Sequence, residues 1–222
     1  TFTGLVILEG SPSACTGQWN SCTRAFANDA KKASVSVTGT SKKSGIWQNY
    51  EFLIPLSSSI DTLSIRADFA TSSSTGYIDI QVSGDGGATY GPAHRIGGNL
   101  FEQSFFIDVT NDLSWTVTKL NKTNLRVKAT CLKQGSGKEP TCYLDWIPVF
   151  VNYTEFNFSV SATPESGSSV QGSSISTLVT VSLLGGIPQL VSLSHSGCPS
   201  GADCSFSSPT PSGNPTYSST FT

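Results

Sequence analysis

Residues 62–69 read Thr62-Leu63-Ser64-Ile65-Arg66-Ala67-Asp68-Phe69, so apolar and polar side chains alternate along the stretch. Successive side chains of an extended strand point to opposite faces of a sheet, so this pattern predicts a strand with one face in a core and the other in water. The same period of two recurs at residues 34–38, 78–82 and 105–109. Many short alternating strands separated by Gly- and Ser-rich turns predict an all-β chain built as a sandwich or barrel.

Three segments carry finer predictions. Residues 144–151 are apolar on both faces, which predicts a central strand covered on both sides, with Asp145 needing a partner. Residues 125–131 and the segment from Cys142 onward are expected to pair as a hairpin around a Gly- and Lys-rich turn. Helical spacing is found only at residues 24–32.

Composition narrows the classes of partner. Charged residues are 13% of the chain, against roughly 25% in an average soluble domain, and the formal net charge is −2. Nucleic-acid binding needs a dense basic footprint, so we expect no nucleic-acid partner. No apolar run approaches the roughly 20 residues that span a bilayer, so we expect no membrane span.

The cysteines indicate an oxidising compartment. Six cysteines allow 15 connectivities, and three local pairs are the simplest of them. The closely spaced pairs are Cys15 and Cys22, Cys131 and Cys142, and Cys198 and Cys204. Three disulfides are typical of exported proteins, which predicts an extracellular or cell-surface location. Because the chain begins at Thr1 and has no Met, we read it as a mature chain, with an excised fragment as the alternative.

Three sequons fit export as well. Asn121, Asn152 and Asn157 each stand two residues before Thr or Ser, with no intervening Pro. They are therefore candidate sites for N-linked glycans.

Charge also divides the chain. Every Lys and Arg lies between Arg24 and Lys138, and none follows residue 154. Such a shift predicts two modules. We assign residues 1–13 to an extended N-terminal segment, 14–153 to a first sandwich and 154–222 to a second.

Residues 83–90 match the Asp-box pattern through Ser83, Asp85, Gly87 and Tyr90. In this pattern Ser and Asp brace a turn, glycines supply positive φ and the aromatic ring packs beneath, so we expect a structural turn.

A second segment, with Asp108, Asn111 and Asp112, clusters oxygen ligands and is a candidate for one structural calcium ion, although a solvated turn is the simpler interpretation. No other cofactor is expected.

Motifs of catalysis are missing from the sequence. His94 and His195 stand in no nucleophile or metal motif, and the chain has no G-x-S-x-G elbow, H-E-x-x-H or P-loop. We therefore expect no enzyme, although two dispersed acids of a glycosidase need no local motif. The four tryptophans, with several tyrosines, form a candidate sugar-stacking platform: Trp19, Trp47, Trp115 and Trp146.

Four stretches of the first sandwich carry a resemblance: residues 46–50, 83–90, 120–127 and 144–149. They resemble jelly-roll-like modules of secreted archaeal and bacterial surface proteins. The resemblance implies a jelly-roll-like β-sandwich and implies no particular activity.

Strands are expected in the second sandwich near residues 156–162, 178–183 and 189–194 and at the last residues. Five stretches carry a second resemblance: residues 158–162, 164–172, 178–183, 191–201 and 206–209. They resemble the Ig-like repeats of archaeal and bacterial surface proteins. Such repeats continue past the strand that matches residues 217–221, so the resemblance implies an incomplete Ig-like sandwich that lacks its final strand.

An incomplete sandwich exposes an edge that a strand from another chain can fill. The uncharged N-terminal segment offers a donor strand through Phe2, Leu5, Val6, Ile7 and Leu8, and the expected acceptor edge holds Tyr217, Ser219 and Phe221. A head-to-tail contact of this kind generates a filament. Our leading hypothesis is a self-assembling subunit of an extracellular filament, similar in logic to archaeal threads and donor-strand pili.

Three alternatives stay open. The chain is a fragment of a surface-layer or adhesin array, or a carbohydrate-binding module of a secreted protein, or a hydrolase with dispersed acids.

Overall fold

The computed structural model of the chain describes residues 6–222. Strands hold 44% of the residues and helices 4%, which confirms the all-β prediction. The helical spacing at residues 24–32 gives only the 3₁₀ turn Cys22–Ala25. Ala30 takes a φ of 63°, which a right-handed helix does not accommodate, so the prediction of a longer helix there is wrong.

Within the described residues the strands are, in chain order, β1 Val6–Gly10, β2 Ala14–Gly17, β3 Ala33–Ser36, β4 Lys42–Gln48, β5 Ser59–Thr71, β6 Gly76–Ser83, β7 His94–Gly97, β8 Gln103–Asp108, β9 Arg126–Lys133, β10 Thr141–Trp146, β11 Val149–Thr154, β12 Asn157–Thr163, β13 Thr177–Gly185 and β14 Thr216–Phe221. A second 3₁₀ turn, Val117–Leu120, precedes β9.

The chain divides into two compact units. One unit, called the first module below, holds the described residues up to Leu56 together with Ile60–Tyr153. The other, called the second module, holds Ser57–Ser59 and Thr154–Thr222.

The first module is a β-sandwich of two antiparallel sheets. A six-stranded sheet runs in the order β1-β11-β5-β10-β3, with β8 paired to β5, and a five-stranded sheet runs β2-β4-β9-β6-β7. The core lies between their inner faces, as the alternation predicts. On β5, Leu63, Ile65, Ala67 and Phe69 are fully buried.

Two finer predictions for the first module are wrong. Residues 144–151 do not form one strand, because the chain breaks at Ile147 and Pro148 between β10 and β11. Proline has no N–H for a ladder, and the Pro148 carbonyl instead accepts a bond from the Arg66 amide. The partner of Asp145 is the Ala30 amide, 3.3 Å from Oδ2.

The predicted hairpin of β9 and β10 is also not formed. β9 pairs with β4 and β6 in the five-stranded sheet, whereas β10 pairs with β3 and β5 in the six-stranded sheet. The connection between them therefore crosses from one sheet to the other.

The second module has one regular sheet, β12-β13-β14. The strands predicted near residues 156–162 and 178–183 and at the last residues form, but residues 189–194 adopt no strand. Residues 189–193 instead line a groove on one face of the sheet, whereas residues 205–207 bond to the edge of β14, where Phe206 contacts Phe221.

The helices found among residues 6–222 are all too short or too polar to cross a membrane.

Candidate functional site

The cysteines form the three local pairs that the spacing predicts. Because Cys131 lies on β9 and Cys142 on β10, their disulfide joins the two sheets of the first module, and both residues are fully buried. The bond is structural, as it crosses the core and reaches no surface.

The Asp-box residues brace the turn between β6 and β7. The Ser83 hydroxyl donates to Asp85 over 2.7 Å and accepts from the Gly87 amide, and the Asp85 carboxylate accepts from the Thr89 amide. Bonds from the Ser83 and Thr89 hydroxyls hold the pKa of Asp85 well below its usual range. Gly87 takes a φ of 95°, which a side chain would strain.

This turn places Tyr90 on the outer face of the five-stranded sheet. The Lys128 ammonium lies 4.0 Å from the centre of the Tyr90 ring, a cation–π contact. The Gln81 amide donates to the Gly91 carbonyl over 2.9 Å, which ties the turn to the strand below it. The Asp-box thus shapes a surface of the first module.

The residues of this outer face follow from strand register. Inward side chains of β6 and β9, such as Ile80 and Ala129, are fully buried, so their neighbours in sequence point outward. Outward-pointing residues in the middle of the sheet, on β4, β6, β7 and β9, are partly or fully exposed: Ser44, Ile46, Tyr77, Asp79, Gln81, Arg95, Lys128 and Thr130. We call this surface, with Tyr90, the sheet face.

Polar groups on the sheet face are held in fixed geometry. Arg95 makes two parallel bonds to Asp79, of 2.7 and 2.8 Å. The hydroxyls of Ser44 and Thr130 pair across the strands at 2.8 Å. Rigid donors and acceptors beside partly exposed tyrosine rings are suited to a ligand with many hydroxyl groups and apolar C–H faces.

The four tryptophans form no platform. Trp19 and Trp47 are buried and pack edge to face at 5.5 Å, while the Trp115 indole donates inward to the Val109 carbonyl. Trp146 lies on β10 of the other sheet, under the Arg66 guanidinium at 4.9 Å. The platform predicted from the tryptophans is therefore wrong, because half of them fill the core.

Sequence reasoning did not assign the sheet face. The polar positions of β9 were visible in its alternation, but the sequence carries no signal that places β9 between β4 and β6.

The candidate calcium segment is engaged in other ways. Asp108 accepts a bond from the Thr110 amide, and Asp112 Oδ2 lies 2.7 Å from His94 Nε2. Within residues 6–222, no three His, Cys, Asp or Glu side chains converge in a way that could hold a metal ion.

The second module presents an open apolar groove of about 300 Å³. Phe158 and Val160 of β12 are 50% and 58% exposed, although they share a sheet face with the buried Val181 and Tyr217. The groove is lined by Phe156, Phe158, Val160, Val181, Leu183, Gln189, Leu190, Val191, Ser192, Leu193 and Tyr217. None of these side chains is charged.

The residues predicted for the acceptor edge lie on β14. Tyr217 lines the groove, Ser219 is buried and Phe221 packs on Phe206 at 4.9 Å. The outer edge of β14 is already bonded to Ser205 and Ser207. The structure therefore places the opening at β12, on the other side of the sheet.

The residues predicted for the donor strand are only partly described. Phe2 and Leu5 lie outside the described residues. Val6, Ile7 and Leu8 lie in β1, paired with β11, where Ile7 is 64% exposed.

The sequon residues take different positions. Asn121 is exposed and accepts bonds in its own turn from Thr123 and Asn124. Asn152 donates to the Thr62 hydroxyl over 2.7 Å, and Asn157 accepts from the Phe158 amide. Glycosylation at these three positions stays a prediction.

No protein-family model and no curated protein matches the chain. Solved structures that match part of the chain include a truncated AlyQ with CBM32 and alginate lyase domains, at a TM-score of 0.39 and 9% identity over 68% of this chain. Others are PfGH50B, at 0.38 and 8% over 66% of this chain, and a family two carbohydrate esterase from Cellvibrio japonicus, at 0.30 and 10% over 68%. The matched regions make up 35%, 23% and 34% of those chains, so this chain spans only about a quarter to a third of the length of each protein it matches.

Proposed function

We propose that the first module is a carbohydrate-binding module of an extracellular protein, and that it binds a glycan on the sheet face without cleaving it. One observation carries the proposal. The sheet face places Tyr77 and Tyr90 beside the fixed polar pairs of Asp79 with Arg95 and Ser44 with Thr130. Stacking on aromatic rings combined with planar hydrogen-bonding groups is the chemistry that recognises a sugar ring.

The rest of the module supports such a role. A disulfide that joins two sheets across a buried core holds the strands in register, so the sheet face is preorganised rather than assembled on binding. Three disulfides also suit the proposed extracellular location.

Affinity electrophoresis of the purified protein through gels that contain single polysaccharides tests the proposal. Tyr77→Ala removes a partly exposed ring from the sheet face, and Tyr143→Ala removes a partly exposed ring from the outer face of the six-stranded sheet. We expect the first variant to lose retention in the gel that retards the native protein, and the second to keep it. Migration unaffected by every polysaccharide, or equal loss in both variants, would contradict the proposal.

Turnover is checked in the same samples. We expect no new reducing ends after prolonged incubation with the retained polysaccharide. Steady release of reducing ends would instead support the hydrolase alternative.

A second candidate function is favoured by the groove of the second module. We propose that this groove accepts the N-terminal strand of another copy, which would assemble the chain head to tail into a filament. The support is the uncovered pair Phe158 and Val160 in an uncharged groove, which suits an uncharged segment rich in apolar residues, such as residues 1–8. Donation would require Val6–Leu8 to exchange their pairing with β11 for pairing in the neighbour.

Electron microscopy of the native protein tests assembly. Phe158→Asp puts a charge into the groove, whereas Leu178→Asp puts one at 48% exposure on the opposite face of the same sheet. We expect thin fibres from the native protein and from Leu178→Asp, and none from Phe158→Asp. Dispersed monomers of the native protein would sink the assembly proposal.

A further inference from the structure

The charges of the first module are sorted between its two sheets. The strands of the five-stranded sheet carry six basic residues and one acidic residue: Lys42, Lys43, Arg95, Arg126, Lys128 and Lys133 against Asp79. The strands of the six-stranded sheet carry one basic residue and five acidic residues: Arg66 against Glu9, Asp61, Asp68, Asp108 and Asp145. A chain with a net charge of −2 therefore has one strongly basic sheet.

Register brings four of these cations to the outer side of that sheet. Lys128 stands two residues beyond Arg126 on β9, and both point outward because Val127 between them is fully buried. Lys42 is the first residue of β4 and points outward, because it stands an odd number of positions from the inward-pointing Trp47. Arg95 lies on β7, opposite the outward-pointing Asp79. With five strands about 4.8 Å apart, the surface is about 19 Å wide.

The cations differ in how far they are already neutralised. Arg95 is paired with Asp79, and Arg126 donates to the Leu125 and Lys122 carbonyls, which carry no full charge. Within the described part of the chain, no carboxylate lies within ion-pair distance of the ammonium groups of Lys42 and Lys128. Lys128 stands over the Tyr90 ring and next to Gln81, in the middle of the sheet face.

We propose that the ligand of the sheet face is an acidic polysaccharide, whose carboxylate or sulfate groups are bound by Lys128 and Lys42. This inference rests on the proposed carbohydrate-binding function and names the class of sugar. An unpaired ammonium beside aromatic and amide groups favours an anion that also offers hydroxyls and C–H faces. On the outer face of the opposite sheet the exposed acids are Glu9 and Asp108, and their charge disfavours the same polymer there.

Matched polymers separate charge from sugar recognition. The probes are dextran sulfate against dextran, and polygalacturonate against its methyl ester, because each pair shares a backbone and differs in charge. We expect retention by at least one acidic polymer, little or none by its neutral counterpart, and a marked loss of affinity as salt rises. Removing both ammonium groups in Lys42→Gln with Lys128→Gln should weaken that binding about tenfold or more.

A control variant keeps the net charge change equal. Lys31→Gln with Lys32→Gln removes two cations from a loop outside the sheet, where they pair with Asp29 and Glu102. We expect this variant to bind as the native protein does. Unchanged near-ultraviolet circular dichroism establishes that both double variants are folded.

Several outcomes would overturn the inference. Equal retention by an acidic polymer and its neutral counterpart would refute it while leaving carbohydrate binding intact. Equal binding of an unstructured DNA oligonucleotide would show a general polyanion surface, and equal loss in the two double variants would place the site elsewhere. Retention by none of the polymers would count against this inference and against the proposed function together.

Discussion

The two sheets of the first module have similar apolar inner faces but outer faces of different charge. Their inner faces share one core, in which Trp47 and Ile80 of one sheet and Phe69 and Leu144 of the other are fully buried. The exposed charges of their outer faces differ in sign, since Lys128 lies at the centre of one and Glu9 and Asp108 lie on the other. Core packing constrains only the side chains that point inward, so a binding function is inferred from the side chains that point outward.

The largest expected effect comes from a change in the core that both sheets share. Phe69→Ala empties a fully buried site on β5, and we expect a loss of about 3–5 kcal/mol in the free energy of unfolding. All four tryptophans lie in the first module, so tryptophan fluorescence in a denaturant titration reports on it alone.

Phe106→Ala is the matched control for that change. Phe106 stands opposite Arg66 on the neighbouring strand and is 68% exposed, so its removal should cost less than about 1 kcal/mol. Equal losses in the two variants would contradict the assignment of inner and outer faces.

The next effect concerns the covalent link between the sheets. Replacing Cys131 and Cys142 together by Ala should lower the free energy of unfolding by about 3 kcal/mol, because it frees the unfolded chain from a closed loop. The same change at Cys198 and Cys204, in the second module, should leave the fluorescence transition where it is. A shift in the second variant as large as in the first would show that the modules unfold as one unit.

A smaller effect tests how the turn supports the sheet face. Gly87→Ala should cost roughly 1–2 kcal/mol, because Gly87 has a φ of 95° and an added Cβ would lie 3.0 Å from the Tyr90 hydroxyl. Gly135→Ala has a similar φ of 82° and no neighbour within 4 Å, so it should cost less and leave glycan retention unchanged. Denaturant titration and affinity electrophoresis measure the two consequences; retention unchanged in Gly87→Ala would show that the turn does not position Tyr90 for binding.

The smallest effect depends on pH and belongs to the six-stranded sheet. Burial raises the pKa of Asp145, and the charge of Glu102 adds to the shift. A raised pKa means that the folded state binds the proton more tightly than the unfolded state. The ionised carboxyl therefore costs stability at neutral pH, and the cost vanishes as pH falls below the ordinary value of 3.8.

Asp145→Asn removes that cost, because the Asn side chain is uncharged. The Asn oxygen can still accept the hydrogen bond from the Ala30 amide. We expect the variant to be more stable than the native protein at neutral pH and no more stable at a pH below 3.8, by unfolding titrations at both. A difference that does not change with pH would mean that ionisation of Asp145 is not its cause.

The inner face of each strand was predictable and the sheet order was not. Alternation at residues 62–69 predicts which side chains of β5 are buried, since a period of two is a local property. The pairing of β9 with β4 and β6 is a long-range choice, and local reading joined β9 to β10 instead. The sheet face combines residues from several strands, so it emerges only when that order is known.

The second module shows a similar limit. Strands were predicted near the positions of β12, β13 and β14, and their antiparallel sheet forms. Which side of the sheet stays open depends on where residues 187–209 pack, and those residues have no periodic pattern. An opening was predicted at the edge of β14 beside Tyr217, but that edge is already bonded to Ser205 and Ser207.

Nuclear magnetic resonance mapping of the labelled protein during titration with a short acidic oligosaccharide tests the central claim most directly. We expect the changes in backbone amide chemical shift to concentrate on the five-stranded sheet, around Tyr77, Gln81 and Lys128, and to be smaller in Lys42→Gln with Lys128→Gln. Shifts centred on the six-stranded sheet, around Arg66 and Phe106, or on the second module, would contradict it.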